Sequence, residues 1–383
     1  MSSDTTSQFS EYLVFGPVPP FRGGVARHTE LLATELSRFS SVTVISDVRL
    51  YSNWLYPGAS QFLPNETGIL ARGSSQLRVK VQSLLRSLLT CLSIPNRKKT
   101  RVILIWWTPA LFHKFVLRRL ILWIKRVDTV IFCHNVEPHE PSVIQQVLSR
   151  VALFRVRKVV VQSENELAKI MRMSPRSNAF VFPHPPFPAD PMPGMSDSVN
   201  KRKIEYDKSR TRLLFFGFIR PYKGITTLLD ALKLSAQISE FELHIVGECW
   251  DDVLRLAIDE MVNDPDSNIS ANLNFVSEEV AAELFSWTDF VMLPYLTATG
   301  SGVLSQAISY RKPVIASAVD PFGSTIRESL DGYLHETGSA AKLAACLDAL
   351  AKGDLQIPTD PWTMNPKITS WEELAKSIAD MQS

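Results

Sequence analysis

Short β-branched, apolar runs alternate with longer stretches of helical periodicity along nearly the whole chain, and this alternation limits its fold more than any other feature. Candidate strands are Tyr12–Phe15, Val42–Ser46, Val102–Trp106, Val130–Cys133 and Val159–Gln162. A second set comprises Leu213–Phe216, Leu243–Val246, Leu273–Val276, Phe290–Leu293 and Val314–Ala316. Strands that alternate with helices in this way imply parallel sheets covered on both faces. Between the sets, "FPHPPFPADPMPGMSDSVNKRK" reads as a linker, because Pro, Gly and Ser continue neither helix nor strand. A length of 383 residues also exceeds one ordinary core. The expected fold is α/β, with two Rossmann-like doubly wound domains facing a central cleft and divided near 195/196.

Composition excludes several classes. Hydrophobic residues at 45% and charged residues at 21% are those of a soluble globular chain. The four cysteines are widely spaced in apolar stretches, with no CxxC or Cys/His cluster, which argues against zinc and a disulfide framework and for a reduced, cytoplasmic setting. The start "MSSDTTSQFSEYLVF" lacks the basic and apolar regions of a signal peptide, and no apolar run reaches membrane-spanning length.

In doubly wound sheets ligands bind beyond the carboxyl ends of the strands, so the residues after each strand carry the functional reading. After the first strand, "FGPVPPFRGGVARHTELL" brings Gly23 and Gly24 to a helix entrance, where backbone N–H groups can approach an anion or sugar. An ordinary strand-to-helix turn fits that stretch equally well. His134, in "VIFCHNVEPHE", follows a buried strand and is placed to bond a hydroxyl or phosphate, or simply to satisfy the backbone. Glu137, His139 and Glu140 follow it, but a proline-containing loop does not put such ligands on one helix face, so no metal is expected. In "LLFFGFIRPYKGITTLL", Gly217 ends a strand, and Arg220 and Lys223 precede Gly224 and a helix. Two cations beside a glycine turn suit a diphosphate, whose departing charge they can neutralise. In "TATGSGVLSQ", Gly300, Ser301 and Gly302 form a further glycine-lined helix entrance. "DPD" at Asp264–Asp266 reads as a surface turn.

These segments, together with "VVQSENELAKI", "LHIVGE", "FVSEEVAAELFSWTDFVMLPY" and "SGVLSQAISYRKPVIAS", resemble in order and spacing the family 4 (group 1) glycosyltransferases of GT-B architecture. The resemblance implies a nucleotide-sugar donor, retained anomeric configuration and no cofactor or metal. It assigns Arg220 and Lys223 to the donor diphosphate, His134 to the neighbourhood of the transferred sugar, Gly23 and Gly24 to the phosphates or acceptor, and Val276 and Ser277 to the nucleobase. It also implies an acceptor-side domain over 1–195, a nucleotide-sugar domain over 196–365 and a last helix, 366–383, that packs back on the first domain. The implied acceptor is a polysaccharide, a lipid-linked sugar or a glycolipid. Two departures stand out. Many members place the arginine directly after the glycine, where this chain has Phe218. Members also commonly carry two glutamates, with seven residues between them, where this chain has Ala298 and Gln306. Gln306 can still hydrogen-bond a ribose diol. The missing acids motivate a rival reading, a catalytically silent GT-B protein acting as a partner or regulatory subunit; a phosphorylase or epimerase is a third.

Residues 71–128 hold 13 of the 41 Lys/Arg but one of the 39 Asp/Glu. Within them "LRVKVQSLLRSLLTCL" and "FHKFVLRRLILWIKRV" read as amphipathic basic helices, the first with Val81, Leu84, Leu85, Leu88, Leu89 and Leu92, the second with Phe115, Val116, Leu120, Trp123 and Ile124. Such helices suit an anionic membrane at the inner face, or pack their apolar faces on a sheet. Aromatic residues are not interleaved as stacking platforms, which argues against nucleic acid.

Overall fold

The computed structural model describes residues 9–19, 21, 24–47, 77–94, 97–138, 142–188, 210–265 and 267–382. The chain divides into two compact units, Met1–Pro185 with Thr369–Ser383, and Pro186–Ile368. Among the described residues the first unit runs β1 (Glu11–Phe15), α1 (Gly24–Leu36), β2 (Ser41–Asp47), β3 (Leu77–Gln82), α2 (Leu84–Leu92), β4 (Thr100–Trp106), α3 (Phe112–Ile124), β5 (Asp128–Cys133), α4 (Val143–Leu153), β6 (Lys158–Val161), α5 (Glu164–Met173) and β7 (Asn178–Val181). Its strands form one parallel sheet in the order β3-β2-β1-β4-β5-β6-β7. β4 is buried at every position, and its apolar residues join β1, β5 and β6 in one core with α3 and α4.

The second unit runs β8 (Thr211–Phe216), α6 (Ile225–Leu234), β9 (Phe241–Val246), α7 (Asp252–Val262), β10 (Ile269–Asn272), α8 (Glu278–Trp287), β11 (Phe290–Leu293), α9 (Gly302–Ser309), β12 (Val314–Ser317), α10 (Phe322–Thr325), β13 (Gly332–His335) and α11 (Ala340–Ala351). Its sheet, also parallel, has the order β10-β9-β8-β11-β12-β13 and an apolar core on each face. In each sheet the order reverses once, at β1/β4 and at β8/β11, the position at which doubly wound sheets bind their ligands.

Several expectations need correction. The helix expected from "LRVKVQSLLRSLLTCL" is an edge strand, β3, followed by the shorter α2, so Val81 belongs to the strand. Alternating exposed Arg78 and Lys80 keep that edge charged, which discourages pairing with another chain. The strand expected at Leu273–Val276 lies earlier, at Ile269–Asn272, and β3, β7 and β13 add edge strands that the sequence pattern did not reveal. The first unit boundary falls at Pro185/Pro186 rather than 195/196. Phe187 is already bonded to the second unit: its N–H donates to Ser305 Oγ at 2.7 Å, and its carbonyl accepts from the Ser309 hydroxyl. The second boundary, at Ile368/Thr369, lies past the expected 365/366, because Asn365 donates to the buried Asp331 at 2.7 Å.

The last helix, α12 (Trp371–Asp380), packs on α1 within the first unit, capped at its start by a reciprocal Ser370–Glu373 pair. Its end is capped by Arg101, a fully buried side chain from β4. The guanidinium pairs with Asp128, donates to the Ala379 carbonyl at 3.0 Å and also to those of Ile378 and Met381. One buried cation thus ties β4, β5 and the end of the chain together, and removing it strands three carbonyls and leaves Asp128 to Lys158 alone. Arg101→Ala is expected to cost about 3 kcal/mol or more. Hydrogen exchange should show lost protection across residues 374–381 with β9 of the second unit unchanged.

Candidate functional site

The switch point of the second sheet is built on glycines. Gly217 follows β8 with φ +88°, and Gly224, with φ +70°, separates a short 3-10 turn, Pro221–Lys223, from α6. A Cβ on Gly224 would lie 1.9 Å from the Pro294 carbonyl oxygen beyond β11, and one on Gly247 would lie 2.1 Å from that of Gly217. No side chain fits either place, and positive φ adds strain to any substitution.

This close backbone approach encloses Lys223. Its ammonium lies 3.0 Å from the position a Cβ on Gly217 would take, 5.4 Å from the Tyr295 ring centroid, and bonds the Phe216 carbonyl at 3.4 Å. Among the described residues no carboxylate pairs with it, and burial pushes its pKa down to about 7. A buried cation without a counter-ion, at a sheet switch point, has the chemistry to meet an anion. Arg220 stacks over the Trp250 ring, its Cζ 4.5 Å from the centroid. α9 begins at Gly302, with Ser301 as its cap: the Ser301 hydroxyl accepts from the Leu304 N–H at 3.1 Å and is bonded to Tyr295. Val303 of that helix lies 3.3 Å from the Gly217 Cβ position. The structure therefore brings together Gly217, Lys223 and the start of α9 with Ser301 and Gly302. Gln306 is half-buried on α9, Gly300 lies just before it, and Ala298 packs partly into the neighbouring core. Ser277 caps α8 by accepting from the Val280 N–H at 3.4 Å, and Val276 packs against the core.

In the first unit Gly24 opens α1, while Gly23, His139 and Glu140 lie outside the described residues. His134 follows β5 with its N–H donated to the Trp106 carbonyl at 2.8 Å, and its ring is buried. Around it stand residues the sequence reading did not single out. The His28 ring centroid lies 4.6 Å from that of His134, 5.3 Å from His184, 4.8 Å from Trp371 and 4.4 Å from Phe132. Among the described residues neither His28 nitrogen, nor His134 Nε2, has a hydrogen-bond partner of good geometry, although Gln162 stands close enough to the His134 ring to favour its protonated form. Burial lowers all three histidines, His134 to about 3 and His184 to about 4, so they stay neutral at neutral pH. Glu166, buried beside this loop, accepts from the Val136 N–H and from Lys169 at 2.6 Å, holding the "HNVE" turn in place. The only hint of the cluster in the sequence is His28, one helical turn after Gly24.

At this unit's own switch point a pocket is lined by Gly16, Asp47, Trp106, Trp107, Lys114 and Arg118 among others. Gly16 is required there, since a Cβ would sit 2.7 Å from Ile105 Cγ1. Asp47 pairs with Arg118 and, at 3.4 Å, with Lys114. Among the described residues no three His, Cys, Asp or Glu side chains converge as metal ligands.

Two parallel, doubly wound units with a glycine-built switch point in each define a GT-B fold. Solved structures agree. Anabaena HepE, in complex with UDP and glucose, is 14% identical over 97% of this chain and 94% of its own, with a TM-score of 0.65. Sucrose-phosphate synthase from Thermosynechococcus elongatus is 17% identical over 96% of this chain and 97% of its own, with a TM-score of 0.69. Residues 210–352 match the family model "Glycosyl transferases group 1". The GDP-mannose:glycolipid 4-beta-D-mannosyltransferase of Xanthomonas campestris pv. campestris is 41% identical over 140 residues, 36% of this chain and 40% of that protein. The phosphatidyl-myo-inositol mannosyltransferase of Mycobacterium leprae is 29% identical over 159 residues, 39% of this chain and 40% of its own. The chain thus matches less than half the length of either mannosyltransferase.

The buried histidines make stability depend on pH. Unfolded, each takes up a proton near pH 6.5, whereas the folded rings resist protonation until about 3 to 4 for His134 and His184. Their contribution is therefore present above pH 6.5 and lost as pH falls below it, by up to about 1.4 kcal/mol per pH unit per histidine. Urea unfolding between pH 7 and 4.5 should show this slope, and His28→Asn should flatten it by about one histidine's share.

Proposed function

We propose that the chain transfers a mannosyl group from a nucleotide-sugar donor, GDP-mannose, to a glycolipid acceptor without a metal ion. The observation that carries the reading is the buried, unpaired Lys223 beside Gly217 at the β8/β11 switch point. A diphosphate there supplies the missing counter-charge, and the ammonium stabilises the negative charge that grows as the glycosidic bond breaks. The donor and the glycolipid acceptor are taken from the name of the Xanthomonas relative, and the Mycobacterium relative's name adds a mannosyl transfer to a phosphatidyl lipid.

The family resemblance implies retention of configuration, yet two observations favour inversion. Ala298 and Gln306 stand where many family 4 members carry paired glutamates. The Xanthomonas relative is named for a 4-beta-D-mannosyl product from GDP-mannose, a donor whose sugar is α-linked. In an inverting transfer the acceptor hydroxyl attacks the anomeric carbon on the face opposite the diphosphate. Its proton passes to a base, and the nucleoside diphosphate leaves with the bonding electron pair. His134, neutral at pH 7 with Gln162 beside its ring, is the side chain we assign to hydrogen-bond a sugar or acceptor hydroxyl. We place the nucleobase side of the donor near Ser277 and the ribose near Gln306.

Calorimetry against a panel of nucleotide sugars tests the donor: GDP-mannose should bind, and failure of every nucleotide sugar to bind would favour a silent partner protein instead. Lys223→Ala is expected to lower turnover at least ~100-fold, and Arg220→Ala comparably, because each removes a charge aimed at the leaving group. Proton NMR of the product should show a β-mannosyl signal, and an α signal would restore retention. The pH dependence of binding follows from Lys223. Alone it is mostly neutral above pH 7; a bound diphosphate favours its protonated form and raises its pKa. Donor binding at pH 8 should therefore take up close to one proton, and much less at pH 6, as calorimetry in buffers of different ionisation enthalpy will detect. Lys223→Met should abolish the uptake.

A further inference from the structure

Three neighbouring helices of the first unit are apolar on both faces. Their inner faces bury Cys91 of α2, Phe115 and Leu122 of α3, and Ala152 and Leu153 of α4 in the core. A helix that covers a sheet ordinarily turns a polar stripe outward. Here α2 exposes Leu85, Leu89 and Leu92 at turn-by-turn spacing. α3 exposes Leu120, Trp123 and Ile124, with Trp123 and Ile124 each 64% exposed. The next helix continues the pattern with Val147, Val151 and, at its end, Phe154.

Polar bonds lock these helices side by side. Arg118 of α3 donates to Ser87 of α2 at 2.9 Å, Lys125 donates to the Leu92 carbonyl, and Arg119 donates to the carbonyls of Ala152, at 2.7 Å, and Phe154. The three stripes therefore form one surface. Cations edge it: Arg97 bonds the Lys125 carbonyl at 3.1 Å, Arg126 follows α3, and Arg155 lies 5.1 Å over the Phe154 ring. Exposed Arg86, Lys98 and Lys99 add to them. Between residues 77 and 157 the described acids are Asp128, paired with Arg101 and Lys158, and Glu137, which lies 3.7 Å from Arg150. The surface is thus apolar at its centre, cationic at its edge and, among the described residues, without a free carboxylate.

We propose that this α2–α3–α4 face docks on an anionic lipid bilayer, its aliphatic and Trp123 side chains entering the headgroup region and its arginines and lysines meeting lipid phosphates. The charge decides the occupant: a symmetric pairing of two copies would set these cations against their equals, whereas an anionic surface complements all of them. The sequence pattern alone suggests two helices over 78–127; the geometry adds α4 and shows that the docking residues point away from the core. The proposal deepens the glycolipid reading, on which it rests for its purpose, since docking would bring the protein to an acceptor held in the membrane.

The test is flotation of the full chain with phosphatidylcholine vesicles, with or without about one-third phosphatidylglycerol. The chain should float with the anionic vesicles at low salt, much less at about 1 M salt, where charges are screened beyond roughly 3 Å. L89S/W123S/V147S and, separately, K98E/K99E should each weaken binding at least ~10-fold with an unchanged melting temperature, since these side chains are exposed. A wild-type chain that stays with the soluble fraction overturns the proposal. So does a triple variant that floats like wild type, or a dimer that the triple variant dissociates. GDP-mannose binding measured on the same preparations separates the two readings: binding without flotation refutes docking alone, and flotation without donor binding refutes the transferase alone.

Discussion

The second unit depends on two places where backbone passes so close to backbone that only glycine fits, Gly224 against Pro294 and Gly247 against Gly217. These contacts draw together the carboxyl ends of β8, β9 and β11 and bury Lys223, which is only 6% exposed. Holding its ammonium charged there is disfavoured by about 5 kcal/mol relative to solvent, taking its pKa as about 7. Native structures seldom leave a charge so placed without an anion to meet it. In the function we propose, packing at the glycines, rather than the lysine itself, suits this turn to a diphosphate, and a lysine on the same turn in an open loop would be an ordinary surface cation.

The central strands were legible because a strand buried on both faces must be continuously apolar, as "VILIW" in β4 and "FVML" in β11 are. The edge strands were not. β3 alternates charge with half-buried residues, β7 is four residues long, and β13 opens on Gly332, so none carries a continuous apolar run. Helix faces were harder still. In "FHKFVLRRLILWIKRV" apolar residues occupy so much of the circumference that the sequence cannot show which of them face the sheet. Phe115 and Leu122 do, while Leu120, Trp123 and Ile124 do not. An apolar stripe read as one face was two faces with opposite roles.

Lys223 was legible from its neighbours in sequence, a strand end and a following glycine, because the site is local to one turn. The histidine cluster was not, because His28, His134, His184 and Trp371 are gathered from four separate segments and only the completed fold brings them into contact. The same holds for Arg101, which looks like one cation of a basic block until the C-terminal carbonyls close over it.

The absent glutamates acquire a physical meaning from this arrangement. Ser301 already caps α9 and bonds Tyr295, and Ala298 is partly packed into the core, so no second group stands ready to restore a carboxylate at those positions. Gln306 offers the ribose a neutral contact, worth about 1 kcal/mol less than a charged one. In the transfer we propose, a site without acids holds its donor through the diphosphate and Lys223 more than through the sugar. That proposed site gives the sugar no fixed negative charge from Ala298 or Gln306 to stabilise a cationic anomeric centre. Stabilisation would then come from the leaving group's side and from the incoming hydroxyl, which is the geometry of the single displacement proposed above.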